Sequence, residues 1–467
     1  MNILLLNPAI QKGSKYIKEL GRCGRKSIAG EMWPQTGLAC LAAVLEKDGH
    51  KVRIIDNMIE QIDIKPLINQ IQAFKPQIII VHATTPTYTN DINVLKQIKQ
   101  NLTSFIGLVG THVSILPEES LLESEADFIL INEAEYTLKE LVNNLNSPWD
   151  SIQGLCFKKN NKIIKTNPRP QIANLDQLPI PARHLLQNKK YTMPIINGNP
   201  FATIIASRGC KFQCLFCRSH KIWGSKVRMH SPNKIIEEIK EIKYNLGLNF
   251  IVFLTDTFTI NQEWVISLCT KIIDQKINIK WLCNSRTDTI NEEMIQLMKK
   301  AGCIFMSFGI ESGSQEILNN SKKGTTLKQA EQAIKLTKKF GIESLAYFIF
   351  GLPGETHSTI NKTIEFCRKI NPDYAYFHIA TPFPGTELYT IAQQNKWLIS
   401  DNWEDFEEVS SAIIKTPMLN PSDLMKAQKK AMQKFYFSPK KIIKQFFRIK
   451  SLCSLKACIK LGLKLLK

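Results

Sequence analysis

The sequence predicts an α/β protein with two sheet-bearing parts. An amino-terminal doubly wound, Rossmann-like (flavodoxin-like) parallel sheet is followed by a partial (β/α)6 barrel of TIM type and a small basic helical tail. Three observations predict this order. Short apolar runs alternate with helix-length patterns across residues 1–147, and the same alternation returns across 199–420. Between them, 148–198 is dotted with prolines that keep the chain extended and mark a connector. From 421 to 467, twelve Lys and one Arg stand against a single Asp, more than half of a net charge of +20.

In the first part, Ile3-Leu4-Leu5-Leu6 reads as a strand that ends at Asn7-Pro8. Leu38, Leu41, Ala42 and Leu45 recur at helical spacing within 36–47. Further strands are expected at 51–56, 78–81, 105–109 and 128–131. A parallel sheet of this kind binds ligands on the loops at the carboxyl ends of its strands. Those loops are Asn7-Pro8, Ala83-Thr84-Thr85-Pro86, Gly110-Thr111-His112 and Asn132-Glu133-Ala134-Glu135. The connector carries a hairpin around Lys158, Asn160 and Asn161, then Pro168, Pro170, Pro179 and Pro181. In the second part, strands are expected at 204–206, 250–254, 279–282, 304–308, 346–350 and 374–377. Lys- and Glu-rich helices such as 234–244 fill the gaps, and the chemistry should gather at the carboxyl ends.

Hydrophobic residues make up 44% of the chain and charged ones 22%, the balance of a globular protein. Nothing repeats at a fixed period, and no run is long enough to span a bilayer. The first residues carry no basic leader, so the expected location is cytoplasmic. In that compartment twelve cysteines argue against a disulfide framework and for a metal or redox role of clustered ones. The tail reads as a solvated basic surface. Residues 440–450 also have the shape of an interfacial helix, which predicts a weak contact at the inner membrane face and a lipid substrate; a helix packed on the barrel has the same shape. No recognised nucleic-acid module accompanies the charge, so no nucleic-acid partner is expected.

The chemistry-bearing motif is Ser207-Arg208-Gly209-Cys210-Lys211-Phe212-Gln213-Cys214-Leu215-Phe216-Cys217. Its C-x3-C-x2-C spacing lets three thiolates hold one face of a 4Fe–4S cube and leaves one iron open. The alternatives are a zinc site completed by His220, or three unrelated thiols.

This loop, with Phe216 in its aromatic position, resembles the signature of the radical S-adenosylmethionine (SAM) superfamily. The resemblance implies a cluster on Cys210, Cys214 and Cys217 that cleaves SAM to a 5′-deoxyadenosyl radical. It also implies a SAM site assembled from successive strand ends: Phe216, Asp256, Arg286, Glu311, Gly351 and Pro353. Asp256 stands where relatives place polar groups near the methionine ammonium, and Arg286 could meet the carboxylate. Glu311 is similar to the ribose-binding carboxylate, and Gly351-Leu352-Pro353-Gly354-Glu355 to the adenine loop.

The first part resembles the cobalamin-binding domain of the cobalamin-dependent radical SAM enzymes. The resemblance rests on Trp33-Pro34-Gln35-Thr36-Gly37-Leu38, Gly49-His50-Lys51-Val52 and Gly110-Thr111-His112, and on Leu175-Asp176-Gln177-Leu178-Pro179 in the connector. It implies cobalamin contacts at Pro8, Thr84, Gly110, His112 and Glu133, with His82 a further neighbour. Two departures stand out. The D-x-H-x-x-G motif is absent, so no histidine is offered beneath the cobalt by that route. Relatives show G-E-G-E where this chain has Asn132-Glu133-Ala134-Glu135, which adds Cβ atoms near the corrin. The implied activity is methylation of an unactivated carbon or phosphorus centre. Radical cyclisation or ring rearrangement is the alternative, and a non-enzymatic cobalamin or cluster sensor belongs to a different class. An external reductant such as flavodoxin or ferredoxin is implied as partner. Methylthiotransfer to transfer RNA would need a second cluster on three amino-terminal cysteines, and only Cys23, Cys40 and Cys156 precede the core, in the wrong context.

Overall fold

The computed structural model describes residues 1–10, 14–27, 30–439 and 441–442. Strands β1 (Asn2–Asn7), β2 (Lys51–Asp56), β3 (Ile78–His82), β4 (Phe105–Val109) and β5 (Phe128–Leu130) run parallel in the spatial order β2-β1-β3-β4-β5. This is the flavodoxin-like order, with its reversal point between β1 and β3. Ile3, Leu4, Leu5 and Leu6 are all fully buried, because helices cover both faces. The hairpin of β6 (Leu155–Lys159) and β7 (Lys162–Lys165) pairs antiparallel with β5 and extends this sheet to seven strands. The connector proper therefore starts after the hairpin.

Helix α1 (Thr36–Lys47) is buried at ten of its twelve positions, from Thr36 through Leu45. One apolar stripe would account for Leu38, Leu41, Ala42 and Leu45 only. The other buried positions include Ala39 and Ala43, small enough for a second surface to approach. That surface belongs to the second part, where Thr36 Oγ1 meets Thr203 Oγ1 and one apolar cluster joins Leu38 and Leu41 to Val252, Leu282 and Leu345.

The second part is a six-stranded parallel sheet in chain order: β8 (Ala202–Ile204), β9 (Phe250–Phe253), β10 (Lys280–Ser285), β11 (Cys303–Glu311), β12 (Glu343–Phe350) and β13 (Tyr374–Ile379). Among the described residues β8 and β13 do not pair, so the barrel is open. Alternation along the strands sorts their faces. Phe348, Phe350, Ala375 and Phe377 pack outward against the helices, while Tyr347, Tyr376 and His378 are half-buried on the other face. The expected 234–244 helix is Pro232–Lys240, continued by a π turn at Glu241–Asn245. The tail opens with a helix, Pro421–Tyr436, started by an Asn420/Asp423 capping box and docked by Leu424, Ala431 and Phe435. Of the 440–450 amphipathic pattern, all but 441–442 lies outside the described residues. No helix among those described is long and apolar enough to cross a membrane.

Candidate active site

Gly209 starts the cysteine loop at φ +92°, where a Cβ would stand 2.1 Å from the Lys226 carbonyl oxygen. Only glycine lets the chain turn here, directly before Cys210. Backbone bonds then shape the loop: Cys210 N donates to Gly224 O at 3.1 Å, and Cys217 N to Cys214 O at 2.9 Å. Leu215 N donates to Ser321 O at 3.1 Å and pins the middle of the loop to the barrel. None of the three cysteines is in a disulfide; Cys214 is buried and the other two are half-buried. Burial pushes the Cys217 thiol up to about 12 and raises that of Cys210 as well. Three sulfur donors on one glycine-started loop are the donor set that an iron–sulfur cube takes.

Around this loop the barrel strands deliver the expected SAM residues. A bulge in the β11–β12 pairing between Gly309 and Glu311 turns Glu311 to φ +69°. Its Oε1 accepts from Lys323 Nζ at 2.7 Å, both side chains being 7% exposed. A Cβ on Gly309 would meet that same Oε1 at 2.3 Å, so the glycine makes room for the pair. Arg286 lies with its guanidinium 3.5 Å from the centre of the Phe212 ring, pairs with Asp288 at 2.9 Å and donates to Lys323 O at 2.8 Å. Its Nη1 lies 3.9 Å from Cys214 Sγ. Asp256 accepts from Ser219 Oγ and pairs with Arg22 at 3.0 Å. Gly351 takes φ +94° and donates to Glu355 Oε2 at 2.5 Å. Glu355 is almost fully buried, and burial pushes it up to about 8. Pro353 O accepts from Asn320 Nδ2 at 3.5 Å, and Phe216 packs on the core with Lys323 Nζ 5.9 Å from its ring centre. A carboxylate, two cations and a backbone turn with glycines at 351 and 354 fit the hydroxyls, carboxylate and base of SAM.

The carboxyl ends of the first sheet face this loop. Gly110 takes φ +138°, and a Cβ there would strike Ala83 O at 2.0 Å. Thr84 Oγ1 lies 2.8 Å from Thr87 Oγ1, beneath Gly24, whose Cβ would come within 2.4 Å of it. Pro8 is buried, directly after β1. His112 is wedged between Tyr88 and Trp403, at ring separations of 4.2 and 4.8 Å. Burial, aided by Arg218, pushes it down to about 3, so it is neutral. Buried Asn7 Oδ1, His82 Nε2 and His112 Nδ1 have no hydrogen-bond partner. Orphaned polar atoms beside a glycine cradle fit the amide-fringed rim of a corrin, which both donates and accepts.

Glu133 is the exception. The sequence offers it to cobalamin, but its carboxylate is taken by Arg228, Nη1 at 2.9 Å with Nη2 also in contact, and by Ile172 N at 2.8 Å. The missing glycines are absorbed locally. Asn132 adopts φ +59°, which asparagine tolerates, and Ala134 sits at φ −87°, where no glycine is needed. Sequence reasoning missed Lys323, whose partner Glu311 lies across the turn after β11, and Arg22, Arg218 and Arg228, whose carboxylate, hydroxyl or carbonyl partners come from distant segments.

The fold and the cysteine loop define the class: this is a radical SAM enzyme. Residues 204–367 match the radical SAM superfamily, and residues 26–142 match the B12 binding domain. An uncharacterized methyltransferase of Pyrococcus horikoshii is 37% identical over 426 residues, 90% of this chain and 92% of that protein. The anaerobic magnesium-protoporphyrin IX monomethyl ester cyclase of Rubrivivax gelatinosus is 29% identical over 78% of this chain and 67% of its own. The radical SAM methyltransferase TsrM from Kitasatospora setae, solved with cobalamin and a 4Fe–4S cluster, shares the fold at a TM-score of 0.72 and 15% identity, over 94% of this chain and 89% of that one. The chain belongs to the cobalamin-dependent radical SAM family, whose cofactors are a 4Fe–4S cluster, SAM and cobalamin.

Proposed function

We propose that this protein methylates an unactivated carbon or phosphorus centre of a small molecule. The observation that carries the reading is the juxtaposition of the two sheet edges. Arg218, the residue after Cys217, donates to Oγ1 of Thr111, the residue after Gly110, at 2.7 Å. The cluster loop and the cobalamin-side loop are thus one side chain apart. When bound, the cofactors would supply a 5′-deoxyadenosyl radical and a transferable methyl group.

The chain's own residues would do the rest. Cys210, Cys214 and Cys217 would hold the cluster. Glu311, paired with Lys323, would accept from the ribose hydroxyls of SAM, while Arg286 and Asp256 would orient its amino-acid end. Gly351 and Pro353 let backbone approach the adenine. Pro8, Thr84, Gly110 and His112 line the cobalamin side. Buried Arg218 and neutral His112 fill the space between the edges and exclude water. An external one-electron reductant of the flavodoxin or ferredoxin class would reduce the cluster.

The test needs no substrate. Protein reconstituted anaerobically with iron, sulfide and hydroxocobalamin is incubated with methyl-labelled SAM and a reductant. Release of S-adenosylhomocysteine, with label passing to the corrinoid, is expected. Release of 5′-deoxyadenosine alone would overturn methyl transfer and favour radical ring closure, the chemistry named for the cyclase relative.

A further inference from the structure

The segment that carries the cysteines is gripped from both sides. Arg208, two residues before Cys210, donates through Nη2 to Glu135 Oε1 at 2.5 Å, with side-chain exposures of 3% and 6%. It also lies 5.0 Å from the Trp223 ring. Ser207–Arg208 pairs antiparallel with Arg228–Met229, and Arg228 holds Glu133. Two cations of the radical core therefore grip the two acids of the loop after β5. Burial works against ionisation of Glu135, but Arg208 outweighs it and holds the carboxyl below its usual range. On the other flank, Arg218 reaches Thr111 at 2.7 Å, Thr85 at 3.3 Å and Pro384 O at 3.4 Å, and it is 3% exposed. The joint is closely packed: a cavity of about 20 Å³ bounded by Gly110, Glu135, Arg208 and Trp223 has room for a single water.

Surface ion pairs between domains contribute little and tolerate motion. Buried ones behave differently, because separating the partners strands a charge in a dry interior. We propose that Arg208–Glu135, Arg228–Glu133 and Arg218–Thr111 form a two-sided clamp that fixes the distance between cluster and cobalamin. These are positioning residues; their inferred task rests on cobalamin binding at the first sheet's loops, as proposed above. The clamp sets where the cofactors stand relative to each other, and it leaves SAM cleavage at the cluster to the barrel residues.

The reduced cluster and cob(II)alamin are both paramagnetic, so pulsed dipolar spectroscopy reads their separation directly. In the reconstituted full-length protein a narrow distance distribution is expected. Glu135→Gln and Thr111→Val should each broaden it at least two-fold while 5′-deoxyadenosine release persists. Thr111→Val removes the acceptor for Arg218 and a donor to Arg22 O but little volume, so it decides the matter if Glu135→Gln does not fold. An unchanged distribution in the folded variants overturns the clamp. If the parent binds no corrinoid, the cobalamin assignment fails separately. The clamp is then judged by amide hydrogen exchange, where unchanged protection across 207–218 in either variant overturns it.

Discussion

Replacing Lys323 by methionine leaves the Glu311 carboxylate buried without its cation. At the observed 2.7 Å, the lost attraction is about 6 kcal/mol for an effective dielectric constant of roughly 20. The variant has a less costly route. A glutamate takes up a proton at about pH 4.3 in an unfolded chain, so neutralising one at pH 7 costs about 3.7 kcal/mol. The smaller figure wins, and the loss of stability is capped near it. The sign follows. A carboxyl kept neutral in the folded state binds a proton that the unfolded state releases, so the penalty grows as pH rises above about 4.3. Lys323→Met should therefore lose about 3.7 kcal/mol at pH 7 and only about 2 kcal/mol at pH 5.8. Urea denaturation of metal-free parent and variant at both pH values measures this. SAM affinity should also fall about ten-fold, because a neutral carboxyl is a weaker acceptor for the ribose hydroxyls. A loss below 1 kcal/mol, or one that does not change with pH, would refute the reasoning.

Gly110→Ala places a Cβ 2.0 Å from Ala83 O at φ +138°, so the β3 and β4 loops must part; corrinoid binding should fall at least ten-fold, measured by equilibrium dialysis, while iron content stays unchanged. Glu355, pushed up to about 8 by burial, is neutral in the fold below that pH. The stability it contributes is complete below about pH 4.3 and is lost as pH rises through about 8, at up to about 1.4 kcal/mol per unit. Glu355→Gln should flatten that decline in melting temperature between pH 5 and 8, and parallel curves for parent and variant would count against it.

The strands were legible because the central strands of the first sheet and β9 are buried on both faces, so runs such as 3–6 and 250–254 are apolar almost without interruption. The three cysteines and Glu311 stand out in the sequence through motif and order. The clamp does not, although Arg208 and Arg218 flank the cysteines in plain view. A buried arginine looks like a surface one until its partner is located, and Glu135 is 73 residues away from Arg208. The partner of Glu133 was hidden for the same reason: its place at a strand end suggested a ligand contact, and the ribbon carrying Arg228 folds back onto it. The extra burial of α1 was hidden too, because its small residues show a second packing surface only when the barrel is present.

Anaerobic reconstitution with iron, sulfide and hydroxocobalamin, followed by metal analysis and absorption spectra, tests the central claim most directly. The account predicts about four irons and one tightly held corrinoid per chain, with iron lost on Cys214→Ala. A single zinc, or four irons that remain in the Cys214→Ala variant, would contradict it.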